Sequence, residues 1–308
     1  MAVVESADPS SAEKSGNAHV ARDVWTPIEL ILLGAIWGSS FLFMRIAAAD
    51  FGPLPLVEVR LVAGVAILLP FLWRARSRIT RKHWLRFALI GSLNSAIPFS
   101  LFAWGAERAP AGIGAIANSM TALFAALVAF LVFGERIGSR RAIALVVGFV
   151  GVVILASGRT AGDNVAGAAI AGTVASLCYG LALNFTRHWL ADLPPVVGVA
   201  GTLTCATLIA LPLAIATWPA MPIPVTSWAA ATLLGVVCTG FAYWLFFRLI
   251  QRVGAPRAST TTYLVPIFGV AWGWLLLGEQ PTWTMVASAV LILGSVILSQ
   301  REVQRAPS

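Results

Sequence analysis

Few side chains in this sequence could bind or react, and most of them lie inside long apolar segments. They are hydroxyl, amide and aromatic groups, with hardly a carboxylate or amine among them. Groups of this kind hold a neutral or zwitterionic solute through hydrogen bonds and ring contacts. The positions that we predict to line a central cavity are Trp37, Ser39, Asn94, Pro98, Asn118, Tyr179, Thr239, Tyr243, Thr262 and Pro266.

Helix packing is the competing explanation for these positions, because Ser and Thr commonly hydrogen-bond between membrane helices. Packing is the more frequent role for the hydroxyl residues, whereas a cavity better explains Trp37, Asn94, Tyr179 and Tyr243. Our hypothesis is that the three aromatic residues stack on the solute or gate it, while Asn94 binds its polar end.

Charged side chains inside the apolar segments are scarcer still. Arg60 is the one strongly embedded cation, and we expect it to anchor neighbouring carbonyl groups. Glu58 stands two residues away, on a different face of a helix. Glu135 and Glu279 each end an apolar segment, which predicts a boundary role first and a gating role second. The segments that carry the polar positions have no central carboxylate, so downhill export or exchange is as well supported as proton coupling.

Catalysis and cofactor binding find no support in these residues. The three histidines lie in the amino-terminal tail or in loops, and there is no His-Glu-x-x-His motif or buried Ser/His pair, so we expect no enzyme. The three cysteines occur singly in apolar segments, which argues against a disulfide framework, a metal cluster and any cofactor. The net charge of +8 comes from short loops and indicates membrane orientation rather than a nucleic-acid partner.

The composition that surrounds these residues belongs to an integral membrane protein. The chain has 308 residues, of which 58% are hydrophobic and 11% charged, against about 25% charged in soluble domains. Ten segments approach the roughly 20 apolar residues that span a bilayer. They predict an all-α protein with transmembrane helices at about 27–47, 54–73, 85–105, 112–133, 140–157, 165–186, 195–216, 228–247, 256–277 and 282–299.

The ten segments form two copies of one five-helix unit. Residues 106–135 correspond to residues 250–279 at a constant offset of 144, so that Arg108 matches Arg252 and both stretches end in Gly-Glu. Because five is odd, the second copy must enter the membrane from the opposite side, as in many secondary transporters. The predicted division is a polar tail at 1–26, repeats at 27–158 and 159–299, and a tail at 300–308.

Loop charge predicts the orientation of the bundle. Most of the 21 Lys and Arg residues fall on one side, with the largest group between the second and third segments. Positive loops stay in the cytoplasm, so we expect both termini to be cytoplasmic in a multi-pass protein of the bacterial inner membrane. Residues 1–26 lack the basic start and apolar core of a signal peptide.

Taken together, Trp37-Gly38 in the first segment, Arg60 in the second and Gly-Glu closing the fourth and ninth give the chain a familiar pattern. It resembles the drug/metabolite transporter superfamily, in particular the EamA family and its YddG-like amino-acid exporters. The resemblance implies a basket-like 5+5 helical transporter that works by alternating access, exports amino acids, including aromatic or other neutral ones, and functions as a monomer. Export of other small organic solutes or drugs is the alternative, and a channel or a membrane enzyme fits less well.

One position departs from that family. Its members commonly carry a proline within the fourth helix as well as the ninth, but here Ala122 stands opposite Pro266. We therefore expect the fourth helix to be straighter than the ninth.

Overall fold

Ten helices make up the protein in the computed structural model, which describes residues 25–159 and 164–303. Most of the predicted amino-terminal tail and the last residues of the carboxy-terminal tail lie outside these ranges. The helices are α1 Trp25–Phe51, α2 Pro53–Arg74, α3 Arg81–Arg108, α4 Ala111–Phe133, α5 Ser139–Ala156, α6 Val165–Trp189, α7 Pro195–Ala216, α8 Val225–Val253, α9 255–277 and α10 Trp283–Val303.

The predicted all-α membrane fold is confirmed. In the described ranges, nine helices are long and apolar enough to cross a bilayer, and α10 contributes a shorter apolar stretch, Trp283–Ser299. Large apolar side chains such as Val146 and Val153 on α5 face outwards, as they do where the surroundings are lipid rather than water. Several helices extend past their predicted ends, α8 by three residues at its start and six at its end, because polar residues at the membrane surface can continue a helix that hydropathy alone would end.

The two five-helix repeats interlock. Helix α1 packs against α8 and α9 of the other repeat, and α6 packs in the same way against α3 and α4. Glycines permit both crossings: a Cβ on Gly38 would lie 2.6 Å from the Cβ of Phe268, and one on Gly180 would lie 2.8 Å from the backbone of Phe124. Since small residues let membrane helices approach closely, the two equivalent crossings hold the repeats together.

Irregular turns recur at equivalent places in the two repeats. Helix α3 contains a π turn at Ser92–Ala96, and α8 contains one at Val236–Phe241, which is the repeat offset of 144 again. Helix α9 has a 3₁₀ segment, Ser259–Tyr263, before Leu264. Such turns change which side chains face inwards and are common at functional sites.

Helix α4 is interrupted without a proline, contrary to the straighter helix that we expected. It consists of Ala111–Asn118 and Thr121–Phe133. The amide of Met120 bonds to the carbonyl of Ala117 in a tight turn, and the hydroxyl of Ser176 on α6 also donates to that carbonyl at 2.9 Å. A hydrogen bond from the other repeat therefore supports the break that Ala122 leaves unexplained.

The helix ends define two faces of the bundle. We call them the Trp25 face, where α1 begins, and the Asp50 face, where α1 ends. Arg252 near the end of α8 pairs with Glu29 near the start of α1 at the Trp25 face, and the hydroxyl of Ser227 at the start of α8 donates to Asp50 at the other. Successive helices run in opposite directions, so the first and last described residues share the Trp25 face.

Candidate functional site

A buried arginine lies at the centre of the candidate site. Arg60 on α2 is only 7% exposed. Its Nε donates to the hydroxyl of Thr239 on α8 at 3.0 Å, and its guanidinium carbon lies 3.5 Å from the ring centroid of Phe99 on α3. A ring face attracts a cation in this geometry. In the described residues Arg60 bonds to a hydroxyl rather than to the carbonyl groups that we expected.

The π turn of α8 prepares Thr239 for this contact. The Thr239 hydroxyl donates its single proton to the carbonyl of Leu234 at 3.0 Å. Its oxygen is then free to accept from Arg60, as a hydroxyl can both donate and accept. The crossing of α2 and α8 is close because Gly235 faces the backbone of Arg60, with a built Cβ 2.7 Å from its carbonyl oxygen.

Aromatic side chains form one wall of the site. The rings of Trp37 on α1 and Tyr243 on α8 meet edge to face at 6.4 Å, and Phe246 lies 5.2 Å from Trp37. The amide nitrogen of Asn94, from the π turn of α3, donates to the Tyr243 hydroxyl at 3.4 Å. Trp37, Asn94 and Tyr243 are half-buried although they lie inside the bundle, as expected of side chains that line a cavity.

Tyr179 and Ser39 complete this arrangement. The ring of Tyr179 on α6 stacks on Phe102 at 6.1 Å, and its hydroxyl lies within electrostatic range of Arg60. The Ser39 hydroxyl lies 3.5 Å from the sulfur of Cys238. Five helices, α1, α2, α3, α6 and α8, therefore contribute to one polar and aromatic cluster, which we call the Arg60 cluster. It consists of Trp37, Ser39, Arg60, Asn94, Phe99, Phe102, Tyr179, Cys238, Thr239, Tyr243 and Phe246.

Four of the predicted cavity residues lie apart from this cluster. Asn118 is half-buried beside the interruption in α4, and Pro98 and Pro266 are buried. Thr262 is exposed, and its hydroxyl donates to the carbonyl of Ser259 within the 3₁₀ segment of α9. In the described part of the chain no hydrogen bond or ring contact joins Asn118 or Thr262 to the Arg60 cluster, so their roles stay predictions.

Arg60 is a cation without a counter-ion in the described residues. No carboxylate pairs with it, and its hydrogen bonds are the one to Thr239 and a weak one to the sulfur of Met44 at 3.9 Å. A guanidinium carries five N–H donors, so most of its hydrogen-bonding capacity is unused. A buried charge in this condition calls for an anion.

A second arginine joins helix ends at the Asp50 face. Arg45 on α1 donates through Nε to Glu279 at 3.0 Å and through Nη1 to the carbonyls of Ala106 at 2.9 Å and Glu107 at 3.2 Å. The Glu279 carboxylate also accepts from the amide of Ala111 at 2.9 Å. These five residues, which we call the Arg45 clasp, join the ends of α1, α3, α4 and α9.

The Trp25 face carries the equivalent pair without the rest of the clasp. Arg187 on α6 donates to Glu135 at 2.6 Å, and both side chains are more exposed than Arg45 and Glu279. The described residues show no bond from Arg187 or Glu135 to Ile250, Gln251 or Ala255, the repeat equivalents of the other clasp members. The sequence singled out both glutamates but not their partners, although Arg45 and Arg187 are themselves equivalent at an offset of 142.

The repeats differ most clearly at Arg60. At the offset of 142 that relates α2 to α7, Arg60 corresponds to Thr202. The backbone crossings correspond as well, since the carbonyl of Thr202 faces Gly91 just as that of Arg60 faces Gly235. The scaffold is thus duplicated at this point, whereas the cation belongs to one repeat.

Comparison with known proteins agrees with this architecture. Residues 25–157 and 166–300 each match the EamA-like transporter family. A solved crystal structure superimposes with a TM-score of 0.62 at 17% identity over 92% of this chain and 98% of the other, which supports the fold alone.

Three relatives that are named as a transporter, an efflux pump and an exporter match this chain over nearly their whole length. The chain is 22% identical to the transporter YoaV of Bacillus subtilis, covering 88% of this chain and 94% of that protein. It is 24% identical to a probable amino-acid metabolite efflux pump of Salmonella typhimurium, with 87% and 92% covered. It is 25% identical to a probable terminal-alkyne amino-acid exporter of Streptantibioticus cattleyicolor, with 93% and 96% covered.

These matches confirm the expected transporter class, and none of the three names is that of an enzyme. The interlocked helices and the half-buried polar cluster between them are the architecture that such a transporter needs. With both halves matched, the chain belongs to the EamA-like transporter family.

Proposed function

We propose that this transporter exports amino acids, with neutral and aromatic ones preferred. The observation that carries the proposal is Arg60, a buried cation with unused donors and no carboxylate partner in the described residues. Desolvating a charge without a partner is costly, and a guanidinium pairs well with a carboxylate through two parallel hydrogen bonds. The α-carboxylate of an amino acid supplies the missing anion.

The residues around Arg60 suit the rest of such a solute. Trp37 and Tyr243 offer ring surfaces, and Asn94 can accept a hydrogen bond from an ammonium group through its carbonyl oxygen. The Arg60 cluster contains no acidic side chain, which disfavours solutes with a net positive charge. Two relatives whose names refer to amino-acid metabolites or amino acids support the same class of solute.

The two faces support an alternating-access mechanism. The Arg45 clasp ties four helices together at the Asp50 face, whereas at the Trp25 face the described residues form only one of its repeat equivalents, the pair of Arg187 and Glu135. A structure with one complete and one partial clasp corresponds to a transporter that is open towards the Trp25 face. Exchange of the two arrangements between equivalent repeats then opens the Asp50 face.

Loop charge supports a cytoplasmic Trp25 face. The turn between α2 and α3 at this face and the helix ends beside it carry Arg74, Arg76, Arg78, Arg81 and Lys82, and such positive segments remain in the cytoplasm. Both termini are then cytoplasmic in a bacterial inner membrane, and the conformation described is the one that loads solute from inside. One chain supplies the whole Arg60 cluster, so a monomer suffices.

Transport by purified protein in liposomes tests the proposal. The substrates are labelled phenylalanine and phenethylamine, a matched pair that differs by the carboxylate, together with a panel of neutral amino acids. We expect counterflow-stimulated uptake of phenylalanine and little of the amine. Arg60→Gln should lose this uptake, Arg60→Lys should retain part of it, and Arg140→Gln, which alters an exposed arginine at the start of α5, should behave as the parent protein.

Three outcomes would count against the assignment. Uptake of no amino acid above empty liposomes contradicts it directly. Equal uptake of the amine removes the role of the carboxylate and favours the alternative, an exporter of other organic solutes. Flux that neither saturates nor shows counterflow indicates a channel.

A further inference from the structure

The second ionisable group embedded in α2 is a carboxyl that the transport site does not use. Glu58 is 5% exposed, and both of its side-chain oxygens are buried without a hydrogen-bond partner in the described residues. An ionised carboxylate that is buried in a membrane-spanning helix without a partner has a high free energy, and acidic residues within such helices are commonly part of proton pathways. A protonated carboxyl avoids most of that cost.

Within residues 25–159 and 164–303, no charged side chain pairs with Glu58. Arg60 on the same helix faces α8, through Thr239 and Gly235. Four helices pack on α2, namely α1, α3, α7 and α8. In the half of the bundle near the Asp50 face, the charged groups of these helices have other partners: Arg45 pairs with Glu279, Asp50 with Ser227 and Glu107 with Arg108. The cysteines deeper in the bundle also have partners, since Cys205 contacts the Trp84 carbonyl and Cys238 contacts Ser39.

A cavity at one face of the bundle ends close to Glu58. A cavity of about 340 Å³ opens at the Asp50 face, lined by Leu54 and Pro55 of α2, Trp104 of α3 and Thr217 beyond α7. Glu58 follows Leu54 by four residues, so it lies one turn deeper on the same face of the helix. A small separation of α2 from its neighbours would extend the cavity to the carboxyl.

The position is specific to one repeat. Ala200 on α7 corresponds to Glu58 at the offset of 142. A carboxyl needed only to hold the duplicated scaffold together would be expected in both copies. Glu58 and Arg60 instead occur together, within one turn of a single helix.

We propose that Glu58 is the proton-binding site that couples this transporter to the proton gradient, an inference that rests on the proposed export function. Its carboxylate takes up one proton from the Asp50 side, forming one O–H bond, and loses that proton to the Trp25 side. Since protons enter the cell as solute leaves, the coupling is an exchange of one proton for one solute. With a zwitterionic solute, each cycle moves one positive charge inwards.

Carbodiimide labelling tests the site without any substrate. Dicyclohexylcarbodiimide is a hydrophobic reagent that reacts with protonated carboxyl groups, and mass spectrometry of membranes treated with it locates the modified residue. We expect modification at Glu58 that declines as pH rises, with little at Glu29 and Glu279, which are ion-paired. Absence of the adduct at every pH overturns the proposal.

Liposome transport tests the coupling. Vesicles loaded at acidic pH, with the membrane potential clamped at zero, should accumulate labelled amino acid about tenfold per unit of pH difference for one-to-one exchange. Glu58→Gln should lose this accumulation but retain counterflow of solute for solute, which also shows that the variant is folded. Glu58→Asp should retain part of the accumulation, and Asp192→Asn, which alters an exposed carboxyl in the loop between α6 and α7, should retain all of it.

The labelling and transport experiments distinguish failure of the Glu58 proposal from failure of the proposed export function. Accumulation by Glu58→Gln equal to that of the parent protein overturns the role of Glu58 and leaves amino-acid export intact. If the parent protein transports no amino acid, the proposed function fails, and labelling still decides whether Glu58 holds a proton.

Discussion

Substituting one residue of the Arg45 clasp should shift the balance between the two conformations. In Glu279→Gln the charge is lost, and the amide that replaces the carboxylate can no longer accept from both Arg45 and the amide of Ala111. Hydrogen bonds to charged groups contribute about 1.5–3 kcal/mol, and the part-exposed setting of this pair lowers the gain from its charge. We expect the closed state of the Asp50 face to lose about 2 kcal/mol, close to a thirtyfold change in population.

The equivalent substitution in the other repeat provides the matched control. Glu135 pairs with Arg187 on a more exposed surface, with side chains 35% and 65% exposed. Exposed ion pairs contribute about 0–1 kcal/mol. Glu135→Gln should therefore change the conformational balance less than about fivefold, and in the opposite direction.

A thiol placed beneath the clasp measures this balance. Gly105 lines a void of about 10 Å³ there, and a Cβ at this position would lie 3.5 Å from Ala168, an ordinary contact. We would introduce Gly105→Cys into a chain lacking the three native cysteines and measure its reaction with a water-soluble thiol reagent. When opening is fast, the rate follows the open population.

The expected result is a rate about thirtyfold higher in Glu279→Gln and unchanged or lower in Glu135→Gln. Equal rates in the two variants would contradict the asymmetry inferred from the clasp. An unchanged rate in Glu279→Gln would show that the clasp does not hold this face closed.

Two further predictions concern stability. Asp192 lies in the loop between α6 and α7, and the hydrogen bond from His83, at 3.0 Å, holds the pKa of its carboxyl below the usual range. The stability that this bond contributes is therefore present above the pKa of the unfolded state and is lost as pH falls through the pKa of the folded state. Asp192→Asn should lower the melting temperature near neutral pH but not in acid. Gly180→Ala places a Cβ 2.8 Å from the backbone of Phe124 and should cost about 1–3 kcal/mol, whereas Gly294→Ala meets nothing within 4 Å and should be neutral or slightly stabilising.

Melting curves in detergent at several pH values check both predictions. A stability difference between Asp192→Asn and the parent protein that persists in acid would show that the pair does not act through the carboxyl charge. Equal melting temperatures for the two alanine variants would contradict the close crossing at Gly180.

The fold was predictable because the membrane restricts what a chain can do. Long apolar segments in a bilayer must be helical to satisfy their backbone groups, and the odd number in each copy determined their relative direction. The interruption of α4 was not predictable from Ala122, because the hydroxyl of Ser176 that bonds to the Ala117 carbonyl comes from another helix. The sequence around Ala122 does not show that a side chain from another helix bonds there.

The candidate site was accessible only in part. Trp37, Asn94 and Tyr243 could be selected because polar and aromatic groups are conspicuous in apolar segments. Phe99, whose ring lies against Arg60, could not, since one more phenylalanine in an apolar helix carries no signal. Thr262 looked equivalent to the others in sequence, but the 3₁₀ segment turns it outwards, where it is exposed.

The matching π turns of α3 and α8 also record the history of the gene. Each adds one residue to a helical turn, and they stand 144 positions apart, at Ser92 and Val236. The simplest history is a single insertion in a five-helix ancestor, before its gene was copied and joined end to end. That ancestor would have had to enter the bilayer in both directions and assemble as an antiparallel pair, and the present difference between Arg60 and Thr202 marks the end of the equivalence of its two partners.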